Sequence, residues 1–75
     1  MEHYTLTERE STVLYYLTLS LTNKEIADIL NVTHHTIKAH ISAILHKLGC
    51  KNRTDAALYA QKNNLFIHRP SLKRP

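Results

Sequence analysis

Between Ile29 and Thr54 the chain carries Lys38, Lys47, Lys51 and Arg53, together with His34, His35, His40 and His46, and not one aspartate or glutamate. Residues 2 to 28 have the opposite balance, with five acids (Glu2, Glu8, Glu10, Glu25, Asp28) against two bases (Arg9, Lys24). Four bases unopposed across 26 residues give one side of the molecule a positive potential. That is electrostatics suited to holding a polyanion rather than to breaking a bond. Because Arg69, Lys73 and Arg74 in the tail supply three of the formal +4, the asymmetry says more than the total.

The spacing within this stretch points the same way. His35, Lys38, Ala39, Ser42 and His46 recur at steps of three, one, three and four, which places them on one side of a helix. Interleaved with them, Ile37, Ile41, Ile44, Leu45 and Leu48 recur at steps of four, three, one and three, which makes another side apolar. Short side chains at Ala39 and Ser42 let such a helix seat deeply in a duplex groove about 12 Å wide. There Lys38 can donate to guanine O6 and N7, Ser42 can serve either base edge, and the Ala39 methyl can meet a thymine methyl. Thr22, Asn23, Thr33, Thr36 and Arg53 sit near expected helix N-termini, where hydroxyls, amides and the helix dipole bind phosphate. His35 and His46 join that phosphate set, more strongly when protonated. His40, between the polar and apolar sides, reads as a half-buried structural histidine rather than a base reader.

Other chemistries find less support. Six histidines and one cysteine raise the question of zinc, but His46 and Cys50 are separated by the helix-breaking Gly49, His34 and His35 point apart, and no four-ligand spacing is present. No metal or other cofactor is therefore expected. No nucleophile–base pair, phosphate-cradling glycine loop or paired carboxylates on one face suggest an enzyme, and a 75-residue chain has little room for an enclosed cleft or a small-molecule site. A lone Cys50 cannot form an internal disulfide, which suits a reducing compartment. No apolar run approaches the roughly 18 residues needed to span a bilayer, and the start, Met1-Glu2-His3-Tyr4, has no signal-peptide pattern. The expectation is a cytoplasmic protein that makes no contact with membranes.

The elements that must position these residues are helical. One glycine and two prolines in a chain that is 43% hydrophobic argue against a turn-rich β protein. Thr7-Glu8-Arg9-Glu10 and Thr22-Asn23-Lys24-Glu25 both read as capping boxes. They open helices at about 7–19, with Val13, Leu14 and Leu17 on one face, and about 23–30, with Ile26, Ile29 and Leu30 as its apolar stripe. Asn31, which tolerates a left-handed backbone, ends the second helix. Thr33 caps a third at about 34–47, stopped by Gly49, and Asn52-Arg53-Thr54-Asp55 opens a fourth at about 53–63 containing Ala56, Ala57, Leu58 and Ala60. Residues 1–67 form the domain, and the proline-punctuated segment 68–75 reads as a disordered basic tail. The second and third helices, joined by Asn31-Val32-Thr33 with the small Ala27 at their crossing, match the spacing of a DNA-binding helix-turn-helix.

Leu6-Thr7-Glu8-Arg9-Glu10, Asn23-Lys24-Glu25-Ile26-Ala27, Thr36-Ile37-Lys38-Ala39-His40, Lys47-Leu48-Gly49 and Arg53-Thr54-Asp55-Ala56 resemble the LuxR/FixJ (GerE-like) helix-turn-helix domain, over residues 6 to about 62. The resemblance implies an all-α fold of four helices, with the third reading the major groove of double-stranded DNA. It implies the fourth as a weak homodimer contact, for which Tyr59 and Lys62 are the exposed candidates. It also implies transcription regulation at paired half-sites, as the output end of a two-component or ligand-responsive regulator. Base-contact roles carry over by position to Lys38, Ala39 and Ser42. This sequence departs from the pattern at Ser20, where the family usually has glycine before the second helix, and at Ser42, where some members place a long basic residue. A competing reading is a protein-interaction adaptor on the same fold, with the fourth helix, Leu65 and Phe66 as its apolar surface.

Overall fold

A computed structural model describes residues 6–63. Within them the chain forms α1 (Glu8–Thr18), α2 (Asn23–Leu30), α3 (His34–Leu48) and α4 (Arg53–Lys62). The expected helices are all present: α1 and α4 are shorter than expected because Thr7, Leu19 and Asn63 are caps, and α3 runs one residue further, to Leu48. The expected tail at 68–75, Tyr4, Leu65 and Phe66 lie outside the described residues.

Local chemistry sets each boundary. The Thr7 hydroxyl accepts from the Glu10 amide at 3.0 Å while the Glu10 carboxylate accepts from the Thr7 amide at 3.0 Å. The same reciprocal pair joins Thr22 and Glu25 at 3.1 and 2.8 Å. Thr33 accepts from the Thr36 amide and Asn52 from the Asp55 amide, capping α3 and α4. Each cap satisfies amides that the first helical turn leaves without partners.

Three left-handed residues close the helices. Asn31 (φ 58°) ends α2, and the Val32 amide returns to the Ala27 carbonyl at 3.0 Å. Gly49 (φ 67°) ends α3, with the Cys50 amide on the Leu45 carbonyl. A Cβ at Gly49 would touch nothing within 4 Å, so the backbone angle alone asks for glycine there. Ser20 (φ 64°) plays the same part after α1, with the Leu21 amide on the Tyr16 carbonyl. A serine here accepts a conformation that glycine enters without steric cost.

The core is one cluster: Val13, Leu14, Tyr16 and Leu17 of α1, Ile26 and Ala27 of α2, Ile37, Ile41 and Ile44 of α3, and Ala56 and Ala60 of α4. α1 lies against both α3 and α4, and α2 packs on α3. The expected apolar stripe of α2 needs one correction. Ile29 is 53% exposed, whereas Ile26 and Ala27 are buried. At about 100° per residue Ile29 stands about 160° from Ala27 around the helix axis, so a helix buried along Ile26, Ala27 and Leu30 turns it outward. Leu58, grouped with the alanines of α4, is likewise 57% exposed.

Candidate nucleic-acid interface

α3 presents three faces, and each meets a different environment. The isoleucines 37, 41 and 44 are buried in the core. Lys38, Ser42, His35, His46 and Ala39 fall within an arc of about 100° directed away from that stripe, and all five are exposed. The remaining flank, Thr36, His40, Ala43 and Lys47, is half-buried. His40 thus occupies the intermediate position expected of it.

The flank is where α1 holds the reading helix. Lys47 Nζ donates to Glu10 Oε1 at 2.7 Å, across 37 residues of sequence. The Glu10 side chain is only 9% exposed and that of Lys47 32%. Burial pushes the Glu10 carboxyl up, but the bond from Lys47, the Thr7 amide and the positive charges of Lys47 and His40 together outweigh it. They hold the group below its ordinary value of 4.5. One carboxylate oxygen therefore both closes the α1 cap and ties α1 to α3. Nothing local in the sequence reveals this, and it removes Lys47 from the bases available to a ligand.

The candidate phosphate residues gather at helix N-termini. Thr33 and Thr36 have hydroxyls 3.1 Å apart at the start of α3, whose first turn carries no acid. Thr22 and Asn23 open α2, where the one acid of the first turn, Glu25, is already engaged by the Thr22 amide. Arg53 opens α4 but reaches back to α2: Nη1 donates to Asn23 Oδ1 at 2.5 Å and Nη2 to the Leu21 carbonyl at 2.6 Å. Two of its donors are thus occupied inside the protein. Of the α4 residues expected at a dimer contact, Tyr59 is half-buried and Lys62 exposed. Leu58, not among the residues expected at that surface, is a large apolar side chain exposed near them.

An open groove of about 440 Å³ runs between the end of α1, the turn before α2 and α4, lined among others by Leu17, Leu21, Thr22, Arg53, Ala57 and Leu58. Burial, followed by the charge of Asp55, raises the Cys50 thiol above its ordinary value, which keeps it from acting as a thiolate. Among the described residues no three His, Cys, Asp or Glu side chains come together as a metal site. None of the helices described is long and apolar enough to cross a membrane.

An exposed, acid-free helix face, carried on the second helix of a tight helix-turn-helix and braced from behind, is the arrangement of a DNA reader. The family model for bacterial regulatory proteins of the luxR family matches residues 4–60. The chain belongs to the luxR family. It is a luxR-type helix-turn-helix DNA-binding domain of the transcription-regulator kind. It is 45% identical over 65 residues to the transcriptional regulatory protein LiaR of Bacillus subtilis, covering 87% of this chain and 31% of that protein. It is 51% identical over 62 residues to LnrK of the same organism, covering 83% and 28%. The response regulator VraR of Staphylococcus aureus is 43% identical over 61 residues, covering 81% and 29%. Among solved structures, the phage VqmA–DPO complex superposes with a TM-score of 0.81 at 32% identity over 96% of this chain and 34% of that one. The response regulator ChrA of a heme-sensing two-component system does so with 0.79 at 33% identity, over 88% and 33%. This luxR-type chain spans about a third or less of each of these proteins.

Proposed function

We propose that the chain binds duplex DNA sequence-specifically, with α3 in the major groove. Lys38, Ala39 and Ser42 contact base edges, and Thr22, Asn23, Thr33, Thr36, His35 and His46 contact the phosphates on either side. Arg53 serves the same edge of the interface. The observation that carries this reading is the outer face of α3: five exposed residues, short or basic, in register and without an acid, on a helix whose isoleucines are buried. The groove-facing side of a recognition helix suits that combination, because the short side chains let it seat deeply beside a basic reader and an acid would be repelled by the phosphates.

The domain acts as the output end of a longer cytoplasmic regulator that responds to phosphorylation or to a ligand. Relatives named as response regulators, of which this domain would form about a third, support that role. Two copies pair weakly through α4, with Tyr59 and Lys62 at the contact and exposed Leu58 adding apolar area. The chain itself has no catalytic role and takes neither cofactor nor small molecule.

Selection from a random duplex library, followed by salt titration of the enriched sequence, tests the proposal. The expected result is enrichment of paired half-sites about one helical turn apart and an affinity that falls linearly on a log–log salt plot. A library that yields no preferred sequence at any salt concentration contradicts it.

A further inference from the structure

Arg53 is the one link between the N-terminus of α4 and that of α2 for which hydrogen bonds are seen among the described residues, and its geometry is specific. Its fork grips the two residues on either side of the α2 cap: Nη1 holds Asn23 Oδ1 at 2.5 Å and Nη2 the Leu21 carbonyl at 2.6 Å, while Thr22 between them caps the helix. A guanidinium has only donors, so the Asn23 amide must turn its oxygen toward it. The amide is planar, so its two N–H donors are then held on the side away from Arg53. Both bonds are short, as charge-assisted bonds are, and both are partly buried. The acceptors are neutral, so the charge does not fix the amide by ion pairing; the fork geometry does.

We infer that Arg53 is a positioning residue for DNA binding: it acts through Asn23, fixing the side-chain amide so that its N–H donors are pre-aimed at a phosphate beside the start of α2. This inference rests on the proposed DNA-binding reading and sharpens it, because a residue of α4 then governs a contact made by α2. A freely rotating asparagine would have to choose its orientation and rotamer at the moment of binding, and that ordering weakens affinity.

The test uses the full 75-residue chain, mixed-sequence duplex DNA as probe, and four proteins besides the parent: Arg53→Lys, Asn23→Ala, the two combined, and Asn23→Asp. Arg53→Lys keeps the charge and loses the fork. It and Asn23→Ala should each weaken binding about tenfold, the worth of a hydrogen bond to a charged group. The double variant should be no worse than the weaker single, because both changes remove one contact. The Arg53→Lys salt slope should stay at the parent value, since no ionic phosphate contact is lost. Asn23→Asp keeps an oxygen facing Arg53 but puts a carboxylate where the donors were. It should melt no lower than the parent and bind DNA at least tenfold more weakly.

Parent-like affinity of Arg53→Lys, or losses that multiply in the double variant, would overturn the inference in favour of a direct Arg53–phosphate contact. If Arg53→Lys does not fold, Asn23→Asp decides alone: tight binding by that variant overturns the inference. A parent chain that binds no duplex at all removes the DNA-binding reading itself, and the inference with it.

Discussion

Replacing Glu10 with glutamine separates the two tasks of a single buried carboxylate. The amide oxygen can still accept from the Thr7 amide, so the cap survives, but Lys47 loses its charged partner at 2.7 Å. A hydrogen bond between charged groups contributes about 1.5–3 kcal/mol and a neutral one about 1. With the Glu10 side chain 9% and Lys47 32% exposed, solvent screens the pair only partly, and Glu10→Gln should cost about 1–2 kcal/mol. In a domain of this size that is a fall in melting temperature of about 5–15 °C. The loss must also depend on pH in a definite sense. The folded carboxyl titrates below its ordinary 4.5, so its stabilisation is complete above that value and disappears as pH falls through the lower, folded one. Thermal unfolding followed by circular dichroism should show parent and variant well separated at neutral pH and converging in acid, once the pH has fallen through the lowered range of the folded carboxyl. Equal melting temperatures near neutrality, or a gap that persists unchanged into acid, would refute the reasoning.

Ser20→Gly relieves a left-handed serine (φ 64°) at some cost in unfolded-chain entropy, and should raise stability by about 0.5–1 kcal/mol in a denaturant titration. Ile44→Ala, at a fully buried position, should cost about 2–5 kcal/mol, whereas Ile29→Ala at the exposed face of α2 should change stability by no more than about 0.5 kcal/mol. The same titration compares the two. Lys38→Ala should leave the fold intact, weaken binding to a selected duplex by about 1–3 kcal/mol, and relax the preference at one base position when selection is repeated.

What could be read from the sequence is what short-range chemistry decides. Thr7 with Glu10 and Thr22 with Glu25 are three residues apart, so their reciprocal bonds follow once a helix begins there. Asn31 and Gly49 announce left-handed turns by residue type. The 3.6-residue period of Ile37, Ile41 and Ile44 separates the core side of α3 from its exposed side without reference to any other element. Ser20 conceals a left-handed turn, because serine is common in every kind of loop. Ile29 departs from the expected stripe because an eight-residue helix is too short for periodicity to separate two candidate stripes. The Glu10–Lys47 pair and the Arg53–Asn23 bond span 37 and 30 residues. They depend on how α1 crosses α3 and how α4 returns to α2, and spacing along the chain carries no trace of either. For the candidate interface, the exposed face of α3 was therefore readable, while the bracing behind it and the coupling of Arg53 to α2 were not.

The central claim is that the exposed side of α3 enters a DNA groove. Titrating the isotopically labelled chain with its selected duplex and following backbone amide shifts by NMR tests it most directly. The account predicts that the largest changes centre on His35, Lys38, Ala39 and Ser42, with a second group at Thr22 and Asn23. Changes concentrated on Leu58, Tyr59 and Lys62, with the outer face of α3 silent, would contradict it.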